Sequence, residues 1–240
     1  MICRFQTTLK LLLCLPLLIL FIFTSATSKE RPYDVCVYGE TPAGITAALQ
    51  VAKMGKSVVL ISTNNHVGGM ATSGLTATDL NNFRIAGGFT KDFYQRVYAH
   101  YLDSSAWRVE GRTEYFERSK KRTYTGKNDS LKMQWVYEAG VGEKIFKQML
   151  QDHGVEVIYN QRINLKSTPF KQDGRLKTIS MESGLKIGAK MFIDASYEGD
   201  LMRMAGVSFK VGRESNATYG ETMNGIRMGP VVGNGKTSID

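Results

Sequence analysis

Cysteine is scarce in this chain, with three in 240 residues. Cys3 and Cys14 fall in the apolar N-terminal stretch, which leaves Cys36 alone in the remainder. A single cysteine forms no internal disulfide and offers no set of thiolates to zinc or an iron–sulfur cluster. The hydrophobic core must therefore hold the fold together. An apolar run of about 20 residues, enough to cross a bilayer, is also lacking; residues 11–23 supply only 13. The densest basic cluster, Arg118-Ser-Lys-Lys-Arg122, has no interleaved aromatics of the kind that bind nucleic acid and reads as a solvated loop. No Ser-His-Asp or Cys-His order, paired-His metal spacing or Walker loop is convincing, and there is no internal repeat.

At 42% hydrophobic and 22% charged, the chain has the composition of a globular protein. Residues 1–28 read as a secretory signal peptide: Arg4 and Lys10 precede the short apolar core, and Ala26 and Ser28 stand at −3 and −1 of a cleavage site. The expected location is therefore secreted, periplasmic or otherwise extracytoplasmic. The alternative is an uncleaved membrane anchor. Loss of this segment takes the net charge from +9 to +7, a spread-out surplus that favours anionic ligands.

Val35, Val37 and Val58-Val-Leu-Ile61 predict two short strands buried on both faces. Between them, Pro42 suits the first position of a helix, Ile45, Ala48, Leu49 and Ala52 follow at helical spacing, and Gly55 ends it. Residues 62–90 form a long glycine-rich loop, more often functional than idle at this length. Phe89, Phe93, Val97 and Tyr101 predict a helix over 89–102, and a second helix is expected over 142–153. Residues 103–135 show no clear period. A strand at 155–159, alternating segments at 164–170 and 175–182 joined by Gln172-Asp-Gly174, and a strand at 190–194 follow, then a short helix ending at Ala205. This order predicts an α/β fold with a doubly wound parallel sheet, a long insertion at 61–140 and a small antiparallel ribbon at 160–190.

The first turn is Gly39-Glu-Thr-Pro-Ala-Gly44. It keeps the outer glycines of G-x-G-x-x-G but has Thr41 in place of the middle one, and its hydroxyl can donate to a phosphate oxygen. With a strand before and a helix after, the turn predicts dinucleotide binding at the helix N-terminus. An acid is expected about 20 residues later, on the ribose hydroxyls. Here the strand ends Ile61-Ser-Thr-Asn-Asn65, with no carboxylate, so Ser62 or Asn64 is either a weaker ribose ligand or part of an ordinary turn.

Three ordered segments, Gly39-Glu-Thr-Pro-Ala-Gly44, His66-Val-Gly-Gly-Met70 and Asp194-Ala-Ser-Tyr-Glu-Gly-Asp-Leu201, resemble the FAD-dependent oxidoreductases of the glutathione-reductase-like and fumarate-reductase-like type. Gly212-Arg-Glu-Ser215 and Tyr219-Gly-Glu-Thr222 resemble the same group. The resemblance implies a Rossmann-type FAD-binding domain over 29–240, FAD as cofactor and a small-molecule substrate. It implies that Gly39, Thr41, Pro42, Ala43 and Gly44 meet the diphosphate and that Ser62 stands at the ribose. Gly68, Gly69 and Met70 would approach the flavin, and Asp194, Ala195 and Ser196 would pass close to the nucleotide. Related flavoproteins complete the ring pocket with a later Gly-Asp segment that has not appeared by residue 240. The chain is thus expected to be an N-terminal fragment, with a non-catalytic or half-built flavin site as the alternative and an NAD(P)-dependent dehydrogenase as a third reading.

Further candidates stay open. His66 is a proton donor beside the flavin or a hydrogen-bonding loop residue. Glu198 and Asp200 line the expected cleft or simply lie near a helix N-terminus. Arg213 meets an anionic substrate or pairs with Glu214. Asn128 and Asn216 begin glycosylation sequons, relevant only in a host that glycosylates exported proteins.

Overall fold

A computed structural model describes residues 32–75, 77–78, 83–120, 126–222 and 224–225. The expected signal segment and residues 226–240 lie outside the described residues. Among the described residues, no helix is long and apolar enough to cross a membrane.

The central sheet has six strands. β1 (Tyr33–Tyr38) leads through helix α1 (Pro42–Lys53) into β2 (Val58–Ile61). The excursion that follows carries helices α2 (Gly88–His100) and α3 (Arg112–Lys120) and a two-strand ladder, β3 (Lys127–Asn128) with β4 (Met133–Gln134). Helix α4 (Ala139–Asp152) then returns the chain to β5 (Glu156–Ile158). A ribbon of β6 (Phe170–Gln172) and β7 (Arg175–Ser180) precedes β8 (Lys186–Asp194), and the short helices α5 (Asp200–Met204) and α6 (Asn216–Tyr219) follow. The strand order is β5-β2-β1-β8-β7-β6. β5, β2, β1 and β8 are parallel, whereas β7 and β6 are antiparallel additions at one edge.

Alternation along the strands explains the two-sided core. Val37, Val58 and Leu60 face α1, α2 and α4, where Ile45, Leu49, Val97, Phe146 and Met149 are buried. Cys36, Tyr38, Val59 and Ile61 point the other way, onto Ile163, Ile179, Met181, Ile187 and Leu201. Full burial of each such aliphatic side chain is worth about 1.5–3 kcal/mol. Phe93 of α2 stacks on Phe146 of α4 at 4.1 Å between ring centroids, which joins the insertion to the helical layer.

The α/β class, the parallel sheet and the ribbon agree with the sequence reading. Boundaries differ: β8 begins at Lys186 rather than 190, α4 at Ala139 rather than 142, and β7 ends at Ser180 rather than 182. The first residues of β8 pair with β7 and the rest with β1, so the ribbon is an extension of the main sheet. The hairpin turn falls at Asp173-Gly174, both at positive φ, as a two-residue type I′ turn requires. Residues 164–169 form no strand; nearby, Ile163 makes an isolated bridge to Met181. The basic cluster read as a loop instead begins on α3, where Arg118 pairs with Glu110 at 2.7 Å.

Candidate dinucleotide site

The strand order reverses between β1 and β8, and in open α/β sheets ligands bind beyond the carboxyl ends of strands at such a point. Gly39 follows β1 and Ala195 follows β8, so the first turn and the 194–201 segment meet there. The fit is close. A Cβ on Gly39, whose φ is +112°, would lie 2.5 Å from the Ser196 nitrogen, and one on Gly44 would lie 1.9 Å from the Gly39 carbonyl oxygen. Both glycines are therefore required by backbone packing.

Thr41 caps helix α1. Its hydroxyl accepts from the Gly44 amide at 3.2 Å and donates to the Ala195 carbonyl at 2.8 Å, while its own carbonyl accepts from Ile45. The hydroxyl proton is thus directed to Ala195, and the anion-binding capacity of this end lies in the helix amides and dipole. Pro42 occupies the first helical turn, and Ala43 is exposed beside it.

Ser62 is fully buried, and its hydroxyl donates to the Asn64 and His66 carbonyls at 2.8 and 3.0 Å. It shapes the strand-ending turn. The carboxylate in this neighbourhood comes from Glu40, a residue the sequence reading passed over. Glu40 is buried, and it accepts from the Thr63 amide at 3.0 Å, the Thr63 hydroxyl at 2.8 Å and the Asn64 side-chain amide at 2.7 Å. The available signal was an acid inside the first turn of a chain whose second strand ends without one.

Gly68 and Gly69 both adopt positive φ, which lets the loop double back over the first turn. The Gly68 amide donates to the Glu40 carbonyl at 2.8 Å, and the Met70 amide donates to the Tyr197 hydroxyl at 2.9 Å. Met70 itself is exposed. His66 bridges two groups: Nε2 lies 2.7 Å from the Thr72 hydroxyl and Nδ1 3.2 Å from Glu143 of α4. Burial raises the Glu143 pKa, but Lys147 and His66 outweigh it and hold the carboxyl below its ordinary value. His66 thus anchors the glycine loop to α4.

Asp194 organises the segment after β8. One carboxylate oxygen accepts from the Ser196 amide and hydroxyl, the other from the Met202 amide at 2.7 Å. Ser196 in turn accepts from Gly199. Ala195 contributes backbone to Thr41 and to Tyr38. Glu198 is exposed, Arg213 donates to the Gly225 carbonyl, and Glu214 accepts from Asn224. Among the described residues Arg213 and Glu214 form no ion pair with one another.

A pocket of about 340 Å³ opens beside the glycine loop, and Pro42, Met70, Ala71, Phe89, Phe93 and Tyr137 are among the residues that line it. Its lining is mainly apolar and aromatic, in the size range of small-molecule sites. Among the described residues, no group of three or more His, Cys, Asp or Glu side chains is placed to hold a metal ion.

The family described as FAD dependent oxidoreductase matches residues 34–238. A vinyl phenol reductase from Lactiplantibacillus plantarum is 32% identical over 136 residues, which cover 52% of this chain and 26% of that protein. The flavin-containing monooxygenase FMO GS-OX-like 9 of Arabidopsis thaliana is 45% identical over 47 residues, 20% of this chain and 10% of its own length. Among solved structures, an L-amino acid deaminase from Proteus vulgaris aligns with a TM-score of 0.47 at 13% identity, over 76% of this chain and 58% of that one. The matched region is about a quarter of the vinyl phenol reductase's length.

Proposed function

Since the chain belongs to the FAD dependent oxidoreductase family, we propose that it binds FAD across the β1/β8 switch point and serves electron transfer between the flavin and a small organic substrate. The observation that carries this reading is the convergence of three separate motifs. Thr41 is bonded to Ala195, Glu40 to Gly68 and Met70 to Tyr197, so the first turn, the glycine loop and the segment after β8 form one hydrogen-bonded wall.

In this reading Gly39, Thr41, Pro42, Ala43 and Gly44 form the diphosphate end, where α1 amides meet negative charge. Asp194, Ala195 and Ser196 form the floor, and Gly68, Gly69 and Met70 lead towards the flavin. The donor chemistry fits: a 12-residue helix starts at the first turn, and a buried carboxylate lies beside it for hydroxyl groups. Bound FAD supplies the hydride or electron chemistry, and the protein supplies binding, orientation and exclusion of water. The aromatic pocket beside Met70 is the proposed place for the reacting partners, and its lining favours a planar, apolar substrate group. The basic start and short apolar core of residues 1–28 support export.

A visible spectrum of the purified full chain tests the proposal. A yellow protein with flavin bands, or a colourless one that gains them on incubation with FAD, is the expected result. A chain that gains no bound flavin overturns it.

A further inference from the structure

We infer that Glu40 is the ribose-binding acid of this site, moved from the end of the second strand into the first turn. The inference rests on the dinucleotide reading above and adds a residue that the three motifs do not assign. Dinucleotide folds place an acid about 20 residues beyond the glycines, at the end of the second strand. Here that position is Ser62, which is fully buried and bonded to the Asn64 and His66 carbonyls, so it offers a ligand nothing.

Glu40 brings its carboxylate to the same place from the other side. Its partners are Thr63 and Asn64, the residues that follow β2. Three bonds hold it there, two on Oε1 and one on Oε2, all from neutral donors. A carboxylate has about four acceptor positions, so one remains, on Oε2. An anionic group this deeply buried, with neutral partners only, is completed by a further hydrogen-bond donor rather than by an acceptor. A ribose hydroxyl is such a donor; a phosphate is not. The same carboxylate would repel a nucleotide phosphorylated on the ribose. The Glu40 carbonyl also accepts from Gly68, so the residue holds its side chain on β2 and its backbone on the glycine loop.

Calorimetric titration of the full chain with ADP and with 2′,3′-dideoxy-ADP tests this. The wild type should bind ADP about tenfold more tightly than the dideoxy analogue, the worth of one charge-assisted hydrogen bond. Glu40→Gln and Glu40→Ala should bring that ratio to about twofold or less, whatever happens to overall affinity. A purely structural Glu40 would weaken both ligands together and leave the ratio unchanged, which overturns the inference. So does a wild type that binds ADP and FAD without distinguishing the analogue, an outcome that needs no folded variant and leaves the FAD reading intact. A wild type that binds neither ADP nor FAD removes both.

Discussion

The Thr41 hydroxyl donates to the Ala195 carbonyl at 2.8 Å, across 154 positions of sequence, while accepting from the Gly44 amide at the start of α1. One side chain thus caps the helix and fastens it to the strand that closes the switch point. Thr41→Val keeps the shape but removes both bonds and should destabilise the protein by about 2 kcal/mol, with Thr41→Ser close to wild type. Urea unfolding midpoints check it. Equal stability of the valine and serine variants would show that neither bond matters.

Two helical glycines should respond in opposite directions to the same change. At Gly44 an added methyl meets the Gly39 carbonyl oxygen at 1.9 Å, a backbone atom that cannot swing aside. Gly44→Ala should cost about 3 kcal/mol and should weaken FAD retention by displacing the first turn. At Gly140, in α4, the added methyl meets nothing within 4 Å beyond its chain neighbours and the adjacent turns of its own helix backbone. Gly140→Ala should stabilise by about 0.5 kcal/mol through helix propensity alone. Thermal melts of the two variants side by side give the comparison, and a shift of the same sign in both would refute it.

The readability of the site follows from the range of each interaction. β1, α1 and β2 were legible because short apolar runs, Pro42 at the helix start and Gly55 at its end are local signals. Helix α3 was not, because its burial depends on a tertiary cluster in which Trp107 packs on Tyr101, Tyr115 and Phe116 without helical period. The first residues of β8 include Gly188 and are held by pairing with β7, which their composition does not advertise. The three motifs were visible as strings, but the bonds that join them are not. Glu40 reaches donors 23 and 24 residues away, and an acid sought only after β2 is missed when it arrives from before it.

Acid sensitivity should have a specific source at the base of the sheet. Asp34 of β1 accepts from Lys190 of β8 at 2.6 Å and from the Ser57 amide at 2.9 Å. The Lys190 bond, with those from Ser57, lowers its pKa from 3.8 to about 2. A carboxyl whose folded-state value is depressed adds stability that is fully present above its ordinary value. That stability is lost as pH falls from 3.8 towards 2. Asp34→Asn should therefore lower Tm at neutral pH and flatten its fall over this window. The contribution is small, because the pair is partly open to solvent. Parallel Tm-against-pH curves for variant and wild type would disprove the assignment.

Cys36 should be chemically silent while the fold persists. It is fully buried in β1 among the apolar side chains on the ribbon-side face of the sheet, and burial pushes its thiol pKa up to about 12. At pH 8 the thiolate fraction is then about one in 10,000, and no reagent has access to it. Labelling with Ellman's reagent should leave this thiol unreacted in buffer and reach it in unfolding concentrations of urea, with the slow step tracking global unfolding. Cys36→Ser serves as the blank that separates it from Cys3 and Cys14. Because the hydroxyl would sit unpaired in an apolar layer, that variant should also lose about 1–3 kcal/mol of stability. Rapid native-state labelling that disappears in Cys36→Ser would mean that β1 opens to solvent, and with it the strand from which the Gly39 turn is suspended.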